Sequence, residues 1–259
     1  MAPPHDSASL ADWIRRLQRE GTILMRCDDA ADPWRLYETP RQIFITHDPA
    51  EVMPLLADIE AAVDAGEQAC GYLAYEAAGA MDEAMEVCVP SAAGSDHGPL
   101  PLLWFGIYDK AEKFKTLPEL EGADCYVGPW AANRTSEEYG CDFARIKDYI
   151  AAGDTYQINY TIRLDAAFHG SPYALFYRLY RRQPTTMATF MNLGSHAICS
   201  VTPELFFERR GSCVISKPMK GTRPADRDSA RHSAQRAELA VSEKDRAENA
   251  MIVDMIRND

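Results

Sequence analysis

The amino-acid sequence predicts a layered fold of the α+β or α/β class. Apolar runs of strand length alternate along the chain with patterns of helical periodicity. Some of the strand-like runs are joined by short connections, which favour antiparallel pairing. Hydrophobic residues make up 46% of the 259 residues, enough for a substantial core in one large domain or two small ones.

The first part of the chain, residues 1–128, predicts strands around one long helix. Gln42–His47 has the pattern of a strand, and Glu51–Ala65 predicts an amphipathic helix because its apolar residues recur at helical spacing. Cys70–Glu76 and a run at 102–108 predict buried strands. The stretch between these two strands, 90–101, is rich in Ser, Gly, Pro and Asp, which predicts a loop.

A second break in the pattern, near 128–135, predicts a domain boundary that separates region 1–128 from region 129–259. Ser136 offers an N-cap for the first helix of the second region, and Gly153 ends that helix. Strands and helices follow to the end of the chain. The predicted strands are Tyr156–Leu164, Met187–Leu193, Ala197–Val201 and Cys213–Ser216, and the predicted helices are Pro172–Arg182, Asp228–Leu239 and Ser242–Asp259.

Charge and composition exclude several classes of function. The net charge of -12 argues against a protein that binds nucleic acid or a membrane surface, since polyanions are repelled. No apolar run approaches the length of a membrane span, and the amino terminus lacks a secretory pattern. Seven scattered cysteines without metal-ligand spacing fit reduced thiols, so we expect a cytoplasmic protein.

Two motifs after the predicted strand at 197–201 carry residues suited to catalysis. Glu204 follows a proline-rigidified turn and is succeeded by two phenylalanines, and a carboxyl group in apolar surroundings can serve as a general acid. Lys220 follows an apolar strand, where a desolvated amine is a competent nucleophile. Gly221 permits close approach of a substrate, and Thr222 adds a hydroxyl donor. Taken singly, the carboxylate and the amine fit ordinary surface residues, and their clustering favours a site.

The start of the last predicted helix carries a candidate ligand for a hard cation. Glu248 lies beside an apolar stripe of this helix and could point into a site, with Asp245 supporting it one turn earlier. The alternative is a solvent-facing ion pair between Lys244 and Glu248. Spacing alone favours the ion pair.

Three blocks in this order resemble the chorismate-binding family, which includes the component I chains of aminodeoxychorismate synthase and anthranilate synthase together with isochorismate and salicylate synthases. The blocks are Thr-Pro-Glu-Leu-Phe at 202–206, Pro-Met-Lys-Gly-Thr-Arg-Pro at 218–224, and Lys-Asp-Arg-Ala-Glu-Asn at 244–249. The blocks at 153–159 and, more weakly, 71–76 are also similar to those of the family. The resemblance implies an α+β fold of layered antiparallel β-sheets flanked by helices, incomplete in this chain.

The resemblance also implies a chemistry. Aminodeoxychorismate synthases have a lysine before Gly-Thr, as Lys220 here, whereas anthranilate synthases usually have alanine. Isochorismate and salicylate synthases use a lysine to activate water at the position of Gln157, and an amide is no base. The implied reaction therefore converts chorismate and ammonia, supplied by a glutamine amidotransferase, into 4-amino-4-deoxychorismate, the precursor of p-aminobenzoate for folate.

Each matching residue takes a role from the same resemblance. Lys220 would be the covalent nucleophile and Glu204 the general acid, while Gly221, Thr222 and Gln157 would contact the substrate. Glu248 would bind Mg²⁺. The alternatives are anthranilate synthase component I and a non-catalytic fragment that only contacts the amidotransferase.

Family members continue beyond the block that ends at Asp259. The continuation carries a second glutamate for magnesium and a glycine-rich strand that binds a carboxylate. We therefore expect the chain to be truncated, inactive by itself and poorly soluble.

Overall fold

The computed structural model describes residues 7–87, 98–120, 124–224 and 228–258. Contacts divide the chain into two compact units, one made of Met1–Glu119 with Phe176–Asp259 and the other of Leu120–Leu175. The predicted boundary at 128/129 does not coincide with this division, because strands from both sides of it share one sheet in the first unit.

The described residues contain seven α-helices, one short 3₁₀ helix at Tyr75–Ala77 and fourteen strands. The helices are α1 Ser7–Leu17, α2 Pro49–Asp64, α3 Ala78–Met81, α4 Ser136–Ala152, α5 Pro172–Arg182, α6 Ser229–Val241 and α7 Glu243–Asn258. The strands are β1 Ile23–Arg26, β2 Trp34–Tyr37, β3 Gln42–Thr46, β4 Gln68–Leu73, β5 Leu103–Tyr108, β6 Glu112–Phe114, β7 Cys125–Val127, β8 Ala131–Ala132, β9 Leu164–Asp165, β10 Phe168–Gly170, β11 Met187–Asn192, β12 Ala197–Thr202, β13 Leu205–Arg210 and β14 Cys213–Lys217.

Two antiparallel sheets form the first unit's core. One has the strand order β12-β11-β1-β2-β6 and the other β3-β5-β4. Every strand pairing among the described residues is antiparallel, which confirms the α+β alternative over α/β. A separate hairpin, β13–β14, follows in the chain.

Apolar side chains from both sheets meet in one cluster. Ile23 and Met191 come from the five-stranded sheet, and Trp104 and Tyr108 come from the three-stranded sheet. Helix α2 covers the three-stranded sheet and buries Val52 completely. Helix α2 and the two sheets therefore form three packed layers, as expected for amphipathic elements that each bury one face.

The second unit contains α4 and two short strand pairs, β7–β10 and β8–β9. The N-cap of α4 is Thr135, one residue before the predicted Ser136, because Thr135 and Glu138 form a reciprocal capping box. Gly153 ends the helix in the left-handed conformation, as predicted (φ 84°). The predicted strand Tyr156–Leu164 is wrong, since only Leu164 of that run lies in a strand, β9.

Most other predicted elements are confirmed to within a few residues, including α2, α5, α7, β3, β5, β11, β12 and β14. The predicted loop 90–101 lies outside the described residues as far as residue 97, and its remainder is irregular. Within the described residues, no helix combines the length and the apolar character needed to cross a bilayer.

Candidate active site

The β13–β14 hairpin joins the first two motifs. Its register pairs Leu205 with Lys217, so the residue before β13 and the residues after β14 lie at the same end of the hairpin. There the backbone N–H of Met219 donates a hydrogen bond of 3.1 Å to Oε1 of Glu204. The carboxylate therefore lies beside the peptide that leads into Lys220.

The backbone around Glu204 is held by the end of β12. The backbone N–H of Glu204 donates a hydrogen bond of 3.1 Å to the hydroxyl oxygen of Thr202. The two following aromatic rings contact each other edge to face, but the side chain of Phe206 is 78% exposed and that of Phe207 58% exposed. The apolar surroundings expected for Glu204 are thus not supplied by these rings.

Gly221 is the one position of the second motif where only glycine fits. Its φ of 74° lies in the left-handed region, which strains residues with a side chain. A Cβ added there would also approach Asp245 at the start of α7, at 2.9 Å from its Cβ and 3.0 Å from its Oδ1. The turn after Lys220 is therefore packed directly against the third motif.

An ion pair fixes this packing. Arg223 Nη2 lies 3.3 Å from Oδ2 of Asp245, whose side chain is 12% exposed. Arg223 Nε also lies 3.8 Å from Oε1 of Glu238 in α6. The Asp245 N–H donates to the Ser242 hydroxyl, a capping contact at the start of α7. Arg223 thus connects the glycine turn to both terminal helices.

The other residues of the turn differ in exposure. Lys220 is half-buried and Thr222 is exposed. The Thr222 carbonyl oxygen accepts a hydrogen bond of 3.1 Å from Nη1 of Arg223. An amine, a hydroxyl group and a carboxyl group are consequently concentrated around one glycine turn, a set that can attack an electrophile and transfer a proton to a leaving group.

Glu248 lies one turn before the buried Ile252 on α7. Its carboxylate is 3.7 Å from the ammonium group of Lys244, so the ion pair considered from the sequence is present. The described residues contain no group of three or more His, Cys, Asp or Glu side chains that could hold a metal ion. Glu248 therefore stays a ligand predicted from the sequence.

Gln157 belongs to the second compact unit, whereas the other five predicted site residues belong to the first. Its carbonyl oxygen accepts a hydrogen bond of 3.1 Å from the Thr155 hydroxyl group. Its side-chain Oε1 is buried and has no hydrogen-bond partner within the described part of the chain. An orphaned buried acceptor is costly, which marks this position as unusual.

The sequence motifs do not single out Arg223, and they predict Asp245 only as support for a metal ligand. The pairing of Arg223 with Asp245 gives both a role in holding the glycine turn. Both lie inside motif blocks, so their positions were visible. Their contact was not, because the two blocks are separated in sequence by the whole of α6.

A family model described as chorismate binding enzyme matches residues 29–259. Among curated proteins, aminodeoxychorismate synthase component 1 of Klebsiella aerogenes is 40% identical over 130 residues, which are 50% of this chain and 29% of the relative. The corresponding protein of Escherichia coli K12 is 39% identical over the same shares. Anthranilate synthase component 1 of Streptomyces coelicolor is 35% identical over 138 residues, covering 53% of this chain and 27% of the relative.

Among solved structures, one from Bacillus anthracis, assigned as a 2,3-dihydroxybenzoate-specific isochorismate synthase, shares the fold with a TM-score of 0.65. It is 19% identical, and the match covers 94% of this chain and 61% of the other. The matches to the curated relatives thus span less than a third of their length.

Proposed function

The chain belongs to the family of chorismate binding enzymes, and from that premise we propose that it forms part of an aminodeoxychorismate synthase component 1. The proposed reaction replaces the 4-hydroxyl group of chorismate by an amino group from ammonia. The relatives from Klebsiella aerogenes and Escherichia coli K12, at 40% and 39% identity, carry this name. Because the match spans 29% of their length, the complete activity is proposed for the complete gene product.

The contact between Met219 N–H and the Glu204 carboxylate is the observation on which the mechanism rests. The Glu204 carboxyl group, the proposed proton donor, thus lies beside Met219, the residue that precedes Lys220. In the proposed first step, the Lys220 amine forms a bond to C2 of the ring, the two conjugated ring double bonds shift to C1=C6 and C4=C5, and the bond from C4 to oxygen breaks. Glu204 protonates the departing hydroxyl group, so that water leaves.

In the second step ammonia forms a bond to C4, both double bonds shift back to their starting positions, and the bond from Lys220 to C2 breaks. The ammonium group that forms on C4 then loses a proton to solvent or to the Glu204 carboxylate, which restores the starting enzyme. Covalent catalysis divides one difficult displacement into two easier ones. The ion pair between Arg223 and Asp245 holds the Lys220–Gly221 turn in position for both steps.

Gly221, Thr222 and Gln157 are proposed to contact the substrate. The absence of a side chain at Gly221 leaves its backbone approachable, and the exposed Thr222 supplies a hydroxyl donor. Gln157 cannot deprotonate water, which favours ammonia as the incoming nucleophile. Magnesium is proposed to be held in part by Glu248, with remaining ligands from substrate and water, an arrangement that Mg²⁺ commonly adopts.

The partner proposed is a glutamine amidotransferase that delivers ammonia. The relatives' name, component 1, implies a second component. If the proposal is correct, glutamine supports turnover only after the amidotransferase is added, whereas ammonium salts support turnover without it.

Anthranilate synthase component 1 is the second candidate, because a relative of that name is 35% identical over half of the chain. Chromatography of the products distinguishes the candidates. The complete gene product is incubated with chorismate, an ammonium salt and MgCl2. We expect 4-amino-4-deoxychorismate; anthranilate with pyruvate would establish the second candidate, and isochorismate would exclude both.

A further inference from the structure

A cavity of about 400 Å³ lies on the outer face of the five-stranded sheet. Arg26 and Trp34 are direct cross-strand partners in β1 and β2, so their side chains lie on the same face. Helix α5 crosses this face, where Tyr180 contacts the Trp34 ring edge to face at 5.0 Å. The segment after β6, residues 115–119, also lines the cavity.

Three cations line this cavity. They are Arg26, Lys115 and Arg181, and none of them has a carboxylate oxygen within 4 Å among the described residues. Glu119 is the one acidic residue in the lining. Three unpaired cations repel one another, and such a cluster is unexpected by chance in a protein of net charge -12.

The cation on β1 is held rigidly. Arg26 Nη1 donates a hydrogen bond to the carbonyl oxygen of Thr185, and its guanidinium group stacks over the ring of Tyr180 at 5.8 Å. Stacking and a backbone hydrogen bond fix a planar cation that would otherwise move freely in solvent. The cavity therefore presents a preorganised positive charge.

Three aromatic residues also line the cavity, beside Pro33, Thr116, Leu117 and Pro118. Trp34 is buried, while Tyr177 and Tyr180 are half-buried and lie one turn apart on α5. Flat apolar walls with few, convergent polar groups are typical of small-molecule sites, and the volume falls in the usual range. An inorganic anion would use the charge but leave the rings unused.

We propose that this cavity is a second binding site, for a small carboxylate that carries a planar ring. The ring packs against the aromatic walls, and the carboxylate lies among the three cations. The cavity shares no lining residue with the motifs that carry Glu204 and Lys220, and the proposal does not depend on the reaction proposed above.

Helix α5 supplies a matched pair of variants. Arg181 and Arg182 both lie in the last turn, where either cation offsets the partial negative charge of the helix end. Arg181 lines the cavity and Arg182 does not. Arg181→Gln and Arg182→Gln therefore change the net charge and the helix stability alike, but only Arg181→Gln removes a cation from the cavity.

The test is calorimetric titration of the chain with benzoate, with its neutral analogue benzamide, and with acetate, which has the charge without the ring. We expect saturable binding of benzoate and at least tenfold weaker binding of the other two probes. Arg181→Gln should weaken benzoate binding roughly tenfold, since a charge-assisted contact is lost, and Arg182→Gln should change it less than about twofold.

Lys115→Gln provides an independent second variant, expected to weaken benzoate binding as well. Circular dichroism confirms that each variant is folded before titration. Absence of saturable benzoate binding would overturn the proposal. Equal binding of benzamide, or equal effects of the two arginine variants, would overturn it too. Equal binding of acetate would reduce the site to one for simple anions and refute the ring-bearing class.

Discussion

The two-sheet core buries more apolar side chains than segment 202–258, but segment 202–258 carries the more specific sequence motifs. Buried apolar side chains among the described residues extend from Trp13 to Leu193, and after Leu193 only Ile252 is buried. Yet the three blocks that resemble the chorismate-binding family most specifically all lie after residue 201. Of these two regions, the better packed is the less distinctive in sequence, and the more distinctive is the more exposed.

The difference has a physical origin. A core accepts many apolar side chains of suitable volume, so burial leaves a diffuse pattern in the sequence. A covalent step needs an amine, an acid and a backbone turn in fixed order, so chemistry leaves specific residues such as Glu204, Lys220 and Gly221. A distinctive sequence motif and a buried side chain are therefore separate properties. Substitutions in the core should change the free energy of unfolding, whereas substitutions in the motifs should change the rate of reaction.

The largest effect is expected for Lys220→Ala in the complete gene product. Loss of the proposed covalent nucleophile should lower formation of 4-amino-4-deoxychorismate at least a thousandfold, or about 4 kcal/mol of barrier. The free energy of unfolding should change little. The matched control is Lys217→Ala on the same hairpin, where an exposed lysine pairs with Asp28 at 3.5 Å. Initial rates with ammonium and chorismate measure the effect, and equal rates for both variants would remove the covalent role.

The core is tested by a pair of phenylalanines. Phe190 in β11 is 2% exposed and packs against Phe176, whereas Phe206 in β13 is 78% exposed. Phe190→Ala should lower the free energy of unfolding by about 3 kcal/mol or more, because it leaves a cavity. Phe206→Ala should change it by less than about 0.5 kcal/mol. Urea denaturation measures both, and a comparable loss for Phe206→Ala would mean that the hairpin is part of the core.

A smaller effect is expected at the proposed magnesium ligand. Glu248→Gln keeps the size of the side chain but removes its charge, so the magnesium concentration for half-maximal activity should rise roughly tenfold. Glu243→Gln, an exposed carboxylate in the first turn of the same helix, is the control. Both variants should unfold at the same urea concentration as the parent. An unchanged magnesium requirement in Glu248→Gln would leave this residue as the partner of Lys244 alone.

The same contrast explains which elements were predictable. Apolar periodicity predicts helix α2 and strand β5, and Gly153 ends α4 as the sequence predicts. The strands β1 and β2 were not identified, although they hold central positions in the five-stranded sheet. Each has only four residues, too few for alternation to be distinguished from chance.

The site was predictable as a set of residue types but not as a geometry. Glu204 and Lys220 were identified from their motifs, and the hairpin brings their neighbours into contact. The exposure of Phe206 contradicts the apolar surroundings inferred from sequence, because adjacency in the chain does not specify which side chains enclose a carboxylate. The contact between Arg223 and Asp245 depends on the fold of both terminal helices, which local patterns do not encode.

The smallest effect concerns the buried phenol of Tyr108, whose hydroxyl group donates a hydrogen bond of 2.6 Å to the carbonyl oxygen of Gly21. Burial raises the pKa of Tyr108 well above its usual value, and burial also raises the pKa of Tyr72 to about 12. Tyr108→Phe removes the hydrogen bond and should lower the free energy of unfolding by about 1 kcal/mol at pH 7. Tyr126→Phe, at an exposed position in β7, should have no such effect.

The difference in the free energy of unfolding between Tyr108→Phe and the parent should depend on pH. A phenol in the unfolded chain ionises near its usual pKa of about 10, while in the folded core it keeps its proton to higher pH. Above about pH 10 the unfolded state therefore binds fewer protons than the folded state, so the free energy of unfolding falls as pH rises. Tyr108→Phe loses one such phenol, so its stability should fall less steeply and approach that of the parent between about pH 10 and 12. Urea denaturation from pH 7 to 11 measures the two slopes, and parallel curves would show that Tyr108 ionises alike in both states.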